Sequence, residues 1–321
     1  MKKALALFLL LLNYHSSYCW GFYAHQKINY FAVFLLPPQM ILLYKQHLAF
    51  LSEHAVDPDK RRYIVPQEGP RHFIDIDRYG KHPYPDLPRK WQEAVVKYSE
   101  DTLNAHGIVP WWIQIMQQRL TKAFREKDKA KILKLSAELG HYIADAHVPL
   151  HVCSNHNGQL TGQKGIHGFW ESRIPELLAE KKWDFFIGKA AYITDPAQYI
   201  WDRILESGAA ADTVLSYEKE LSARYPSDRK YAFENRKDVI IRQYSSGYAI
   251  AYNDMLKGMV ERRMRLSAWS IASFWYTAWV NAGQPELKEL LDQSFTDGSK
   301  KDYETLNKEW KRNAAKERDC E

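Results

Sequence analysis

Cysteine is scarce in this chain of 321 residues: Cys19, Cys153 and Cys320 are the whole supply. Two thiols beyond the N-terminal stretch make no disulfide framework, which excludes a small stapled scaffold and leaves any pairing of Cys153 with Cys320 open. The apolar run from Ala4 to Leu12 falls well short of the about 20 residues that span a bilayer, so no transmembrane segment is expected. Lysine and arginine nowhere gather into a nucleic-acid-binding arm, and a formal charge of +6 is mild. It tolerates an anionic substrate without arguing for one. No internal repeat, low-complexity linker or sustained strand-like alternation is found, which sets aside solenoids and linker-joined modules.

What is present begins at the N-terminus. Lys2 and Lys3 precede the apolar run, and a short polar stretch ends in Ser17-Tyr18-Cys19. That order is a secretory signal peptide, with small residues placing cleavage between Cys19 and Trp20. Tyr18 is bulky and Ser16 stands where lipoprotein processing wants Leu, which argues against acylation of Cys19. The expected protein is secreted or periplasmic, with residues 20–321 forming one all-α, multi-helix domain. Helical patterning covers 24–36, a segment from Pro38 to about Ala55, 90–126 with a break near Gly107 and Pro110, and 129–146. Further helices are expected near 170–181, 197–207, 234–263 and 267–281. The interval 54–88 is rich in proline and glycine and reads as a long loop, and the Lys/Glu-rich tail after about Leu290 as a segment that frays.

The histidines are unevenly placed. In the segment Gly140 to His151, His141 and Asp145 stand at i, i+4 and share a helix face. Pro149 then turns the chain, so that His151 approaches from another direction. His167 and Glu171 repeat the i, i+4 pairing. One such pair is ordinarily a surface contact or a satisfied core group. Two in tandem around a Pro-Leu-His turn, among apolar neighbours Leu139, Ile143 and Leu150, point instead to a metal, because buried ionisable groups need partners. Imidazole with carboxylate suits zinc.

These segments resemble the superfamily of zinc-dependent phospholipase C and single-strand-specific zinc nucleases. Trp20 followed five residues later by His25, Asp57 fifteen residues before His72, the run His72-Phe73-Ile74-Asp75, and then His141, Asp145, His151, His167 and Glu171 occur in the order of its motifs. The resemblance implies a nearly all-α fold around three Zn²⁺ ions. Asp57, His72, His141 and Asp145 would bind the first. The amino group and carbonyl of Trp20, with His25 and the shared Asp145, would bind the second, and His151, His167 and Glu171 the third. Signal cleavage would then be coupled to metal loading, since a peptide-bonded Trp20 nitrogen is a poor ligand.

Such a set keeps a net positive cleft, which favours a phosphodiester and its more highly charged transition state, attacked by a metal-bridged hydroxide. Asp57 and Asp145 are the expected catalytic carboxylates, with Asp57 orienting the water. Asp75 and His147 are expected to brace ligands from behind. Lys60 or Arg61 would contact phosphate, although the nuclease branch has Arg three positions after its aspartate, where Lys60 stands after Asp57. Glu171 and the short loop before His167 lean towards a phospholipid substrate. The Trp-to-His spacing and the wording of Asp145 to His151 lean towards single-stranded nucleic acid. A non-catalytic zinc-binding protein is the reading from another class; closed four-ligand sites would favour it, whereas a shared carboxylate leaves positions open. Nothing in the sequence implies a stable protein partner.

Overall fold

Proline sets the first helix boundaries. In the computed structural model, which describes residues 21–236, 239–293 and 297–312, α1 (Phe22–Val33) stops ahead of Pro37, and Pro38 opens α2 (Pro38–Gln46). Proline suits a first turn because its φ is preset and its missing amide is not needed there. Next come α3 (Leu48–Glu53) and α4 (Asp57–Arg61). The interval 54–88, expected as a loop, contains α4 and tight 3-10 turns at Pro66–His72 and Ile76–Tyr79. Its recurrent prolines keep each piece short.

Beyond it lie α5 (Trp91–Tyr98), α6 (Glu100–His106), α7 (Val109–Arg125) and α8 (Lys129–Ala146). The Asp128 side chain caps α8 by accepting from the Lys131 amide at 3.1 Å. α9 (Ile166–Gly168) runs through a π-helical turn, Phe169–Arg173, into α10 (Ile174–Lys182). Then follow α11 (Pro196–Arg224), β1 (Tyr231–Arg236), β2 (Val239–Tyr244), α12 (Ser246–Met255), α13 (Met259–Asn281) and α14 (Asp297–Trp310). In α14, Tyr303 meets the rings of Phe50 and His54, and Trp310 that of Phe22.

The result is a mostly helical single domain with one departure. The span 234–263, expected as helix, begins inside an antiparallel hairpin in which Tyr231 pairs with Tyr244 and Phe233 with Arg242. Both strands are rich in aromatic and β-branched residues, which favour the pleated conformation. Short apolar runs of this kind are ambiguous by periodicity alone. Among the described residues no helix is long and apolar enough to cross a membrane.

Helix α8 is the axis of the core. Every residue from Ser136 to Ala146 is buried, so it is covered on all sides, with α1, α7 and α13 packed around it. Glycine at 140 permits the closest approach. A Cβ there would stand 2.1 Å from Asn29 Oδ1, whose amide nitrogen donates to the carbonyls of Leu51 and Ala137 at 3.1 Å. Asn29 and His25 lie one turn apart on α1, so this contact lays the His25 ring on His141, with centroids 3.8 Å apart.

Candidate metal centre

His141 and Asp145 project from the last turns of α8, one above the other, as their spacing requires. The helix ends at Ala146. Val148 is extended ahead of Pro149, and the tight turn Pro149–Val152 carries His151 back to the same centre. His167 comes from α9 and Glu171 from the π-helical turn that follows it, a local widening that proteins often place at functional sites. His72 ends the turn Pro66–His72. All seven of His25, His72, His141, Asp145, His151, His167 and Glu171 are buried.

Asp145 holds the middle. Its Oδ2 lies 3.2 Å from His72 Nδ1 and 3.3 Å from His141 Nε2, while Oδ1 lies 3.4 Å from His25 Nε2 and 3.7 Å from His151 Nε2. Asp59 Oδ1 stands 3.7 Å from His72 Nδ1 and 3.6 Å from His141 Nε2, and those two nitrogens are 3.0 Å apart. Ligand atoms about 2.0–2.2 Å from a tetrahedral ion lie roughly 3.3–3.6 Å from one another. The observed separations have that scale. On the far side, Glu171 Oε2 is 3.4 Å from His151 Nε2 and 3.1 Å from His167 Nε2. Three buried groups could therefore each hold a metal ion: His25–His141–Asp145, Asp59–His72–His141 and His151–His167–Glu171, with the ligand atoms of each within 4.8 Å of one another.

The tautomers favour ligation. His141 Nδ1 donates to the Ala55 carbonyl at 2.8 Å and His151 Nδ1 to the His72 carbonyl at 2.7 Å. A carbonyl only accepts, so each Nδ1 carries the proton and each Nε2 turns a lone pair inward. Burial, with His141 and His151 adding, holds His25 well below the ordinary imidazole value, and burial does the same to His72. Both are neutral, as metal ligands must be. Burial pushes the Asp59 carboxyl up to about 7 against the pull of His141 and Arg62, and drives Asp145 well above the carboxylate range, with Glu171 adding. Among the described residues, neither oxygen of Asp59 nor Oδ1 of Asp145 receives a hydrogen bond. Buried carboxylates in that condition fit a site for cations.

Several expected residues stand elsewhere. Asp57 is not brought to the cluster: its carboxylate accepts from His54 Nδ1 at 2.6 Å and Lys60 Nζ at 2.9 Å. Burial raises its pKa, but the bonds and charges of His54 and Lys60 outweigh that and hold it below the ordinary value. Asp57 and Asp59 are two apart on α4 and so face opposite ways; it is Asp59 that faces the histidines. The sequence reading missed Asp59, although Arg62 stands three positions after it and approaches Oδ1 to 3.9 Å. Lys60 is occupied by Asp57. Arg61 is locked in a network, with Nε 2.9 Å from Glu68 Oε2 and Nη1 2.8 Å from Glu138 Oε1, closed by Tyr142 and Arg71.

His147 bridges helices, bonding the Ile143 carbonyl at 2.7 Å and Ser270 Oγ at 3.1 Å. Asp75 opens the turn Ile76–Tyr79, and the bonds that orient His141 and His151 go to backbone carbonyls. Trp20 lies outside the described residues. Its neighbour Gly21 donates to Ser172 Oγ at 3.0 Å, one residue after Glu171. Cys153 is buried.

Fold and site together define a mostly helical domain with three buried His/Asp/Glu groups able to hold metal ions. No family model matches the chain, and no curated protein matches it.

Proposed function

We propose that this protein is an exported, zinc-dependent phosphodiester hydrolase of the phospholipase C-like kind, released by cleavage before Trp20 and holding three zinc ions. The observation that carries the reading is that both buried oxygens of Asp59 and Oδ1 of buried Asp145 receive no hydrogen bond among the described residues, beside the neutral imidazoles of His25 and His72. Imidazole and carboxylate donors suit zinc, and the resemblance in motif order supplies the reaction class. Bound zinc contributes Lewis acidity towards a phosphoryl oxygen and makes water acidic enough to attack near neutral pH.

The chain's own residues fix the geometry. Asp145 turns one oxygen to each side, so the groups stay at a set separation, and Asp59 takes the place expected of Asp57. The carbonyls of Ala55 and His72 lock the rings of His141 and His151. Arg62, beside Asp59, is the cation placed to meet a phosphate oxygen, while Arg61 stays within its ion network. Glu171 in the third group supports the phospholipid branch. One observation favours single-stranded nucleic acid as a second reading: with Asp59 as the ligand, Arg62 falls at the offset of three that the nuclease branch uses.

The test is a parallel assay of the zinc-loaded protein with a native Trp20 terminus on phosphatidylcholine, single-stranded DNA and RNA. Release of diacylglycerol supports the proposal, cleavage of nucleic acid alone moves it to the second branch, and no hydrolysis of any of them overturns it.

A further inference from the structure

The only strands among the described residues form a hairpin that carries exposed apolar side chains outward. Along β1 and β2 the odd positions 231, 233 and 235 share a face with their partners 244, 242 and 240. At the base of that face Tyr231 and Tyr244 lie with ring centroids 5.0 Å apart, and Tyr244 is buried. Further out, Phe233 is 75% and Ile240 72% exposed. As diagonal neighbours they form a single apolar spot. Arg242, paired with Phe233, is exposed and stacks its guanidinium over Tyr231 at 3.6 Å, and Arg229 is exposed just before the hairpin.

The hairpin is bolted to the third metal group. Tyr244 stacks on Phe169 at 3.9 Å, and Phe169 stands midway between His167 and Glu171. Arg173 Nε donates to the Tyr244 carbonyl at 3.1 Å, and its guanidinium also pairs with Glu234 on the opposite hairpin face. The loop from His151 to His167 joins the same side. Gln163 Nε2 donates to Glu218 at 2.6 Å, and Glu218 holds Lys230 at the foot of β1. That loop exposes Leu160, at 68%.

We propose that the hairpin is a membrane-surface wedge: Phe233 and Ile240 enter the outer acyl region of a bilayer while Arg242 and Arg229 meet lipid phosphates. The inference rests on the phospholipid reading and deepens it, because Tyr244 of the second strand packs on Phe169, between His167 and Glu171. Exposed apolar side chains on the same hairpin as Arg242, with Arg229 just before it, match an anionic lipid surface, which rewards both apolar burial and positive charge.

The full-length mature protein is mixed with sedimenting vesicles of phosphatidylcholine and phosphatidylglycerol. Wild type co-sediments; the double variant Phe233→Asp/Ile240→Asp loses at least about tenfold in vesicle affinity, and Phe233→Trp retains it. Hydrolysis of soluble bis(4-nitrophenyl) phosphate is unchanged in all three. Wild type that stays in the supernatant, or a double variant that binds as wild type does, overturns the proposal. So does a wild-type dimer that the double variant abolishes, which makes a second copy the occupant, or single-stranded DNA binding lost in its place. Hairpin-dependent sedimentation without any phosphodiester hydrolysis leaves the wedge standing and removes the enzymatic reading alone.

Discussion

The segment from His151 to His167 takes part in two buried polar clusters, one around Asp145 and one around Glu218, and they are built on opposite terms. Around Glu218 the carboxylate is fully engaged: Lys230 Nζ at 2.9 Å and Tyr248 Oη at 2.7 Å reach one oxygen, and Gln163 Nε2 at 2.6 Å reaches the other. Around Asp145 the acids and imidazoles crowd together, yet both oxygens of Asp59 and one of Asp145 receive no hydrogen bond from the described residues. The Glu218 cluster closes on itself and stabilises the fold. The Asp145 cluster is electrostatically incomplete without positive charge, and that distinguishes a site from a structural network.

The largest expected effect breaks the incomplete cluster. Asp145→Ala removes the carboxylate that faces both sides, and phosphodiester hydrolysis should fall by at least about a thousandfold with loss of bound metal. Turnover and elemental analysis of the purified variant read both. The matching change in the closed cluster, Glu218→Ala, leaves the Lys230 ammonium without its partner. It should cost about 2–3 kcal/mol in denaturant unfolding while metal content stays at the wild-type level. Metal loss in Glu218→Ala would erase the contrast between the two clusters.

Within the site, the pair Asp59 and Asp57 sharpens the same contrast. Asp59→Asn should lower metal affinity roughly 10–100-fold or more. Asp57→Asn should retain metal and lose about 1–2 kcal/mol of stability from the His54 and Lys60 contacts. Equal metal loss in both variants would return Asp57 to the ligand set.

The smallest expected effect is a pH slope. Asp59, pushed up to about 7 in the buried site, is protonated below that pH, and ligation needs the carboxylate. Metal binding therefore displaces a proton there, and apparent affinity should rise about tenfold per pH unit as pH approaches 7 from below, then flatten for this group. Metal-buffered titrations between about pH 5 and 8 give the slope, and an affinity independent of pH would contradict the protonated Asp59.

The contacts that were legible in the sequence are local ones. His141 with Asp145, and His167 with Glu171, follow from i, i+4 spacing, and the return of His151 follows from Pro149. The helical class was legible too, since α8 keeps the bounds that its pattern suggested. Choosing between Asp57 and Asp59 was not, because the direction of α4 depends on how its neighbours pack, and two acids two apart offer no local criterion. Arg61 and Lys60 looked available because their partners, Glu68 and Glu138 for one and Asp57 for the other, are fixed by tertiary contact. The hairpin escaped because two six-residue strands mixing apolar and charged positions are too short for periodicity to separate strand from helix until their pairing is known.

The proposed metal centre is tested most directly by the zinc content of protein prepared to begin at Trp20, measured by elemental mass spectrometry after zinc loading and gel filtration. It predicts about three zinc ions per chain, displaced by a strong chelator together with activity. Fewer than about one zinc per chain, or full hydrolytic activity after complete chelation, would contradict it.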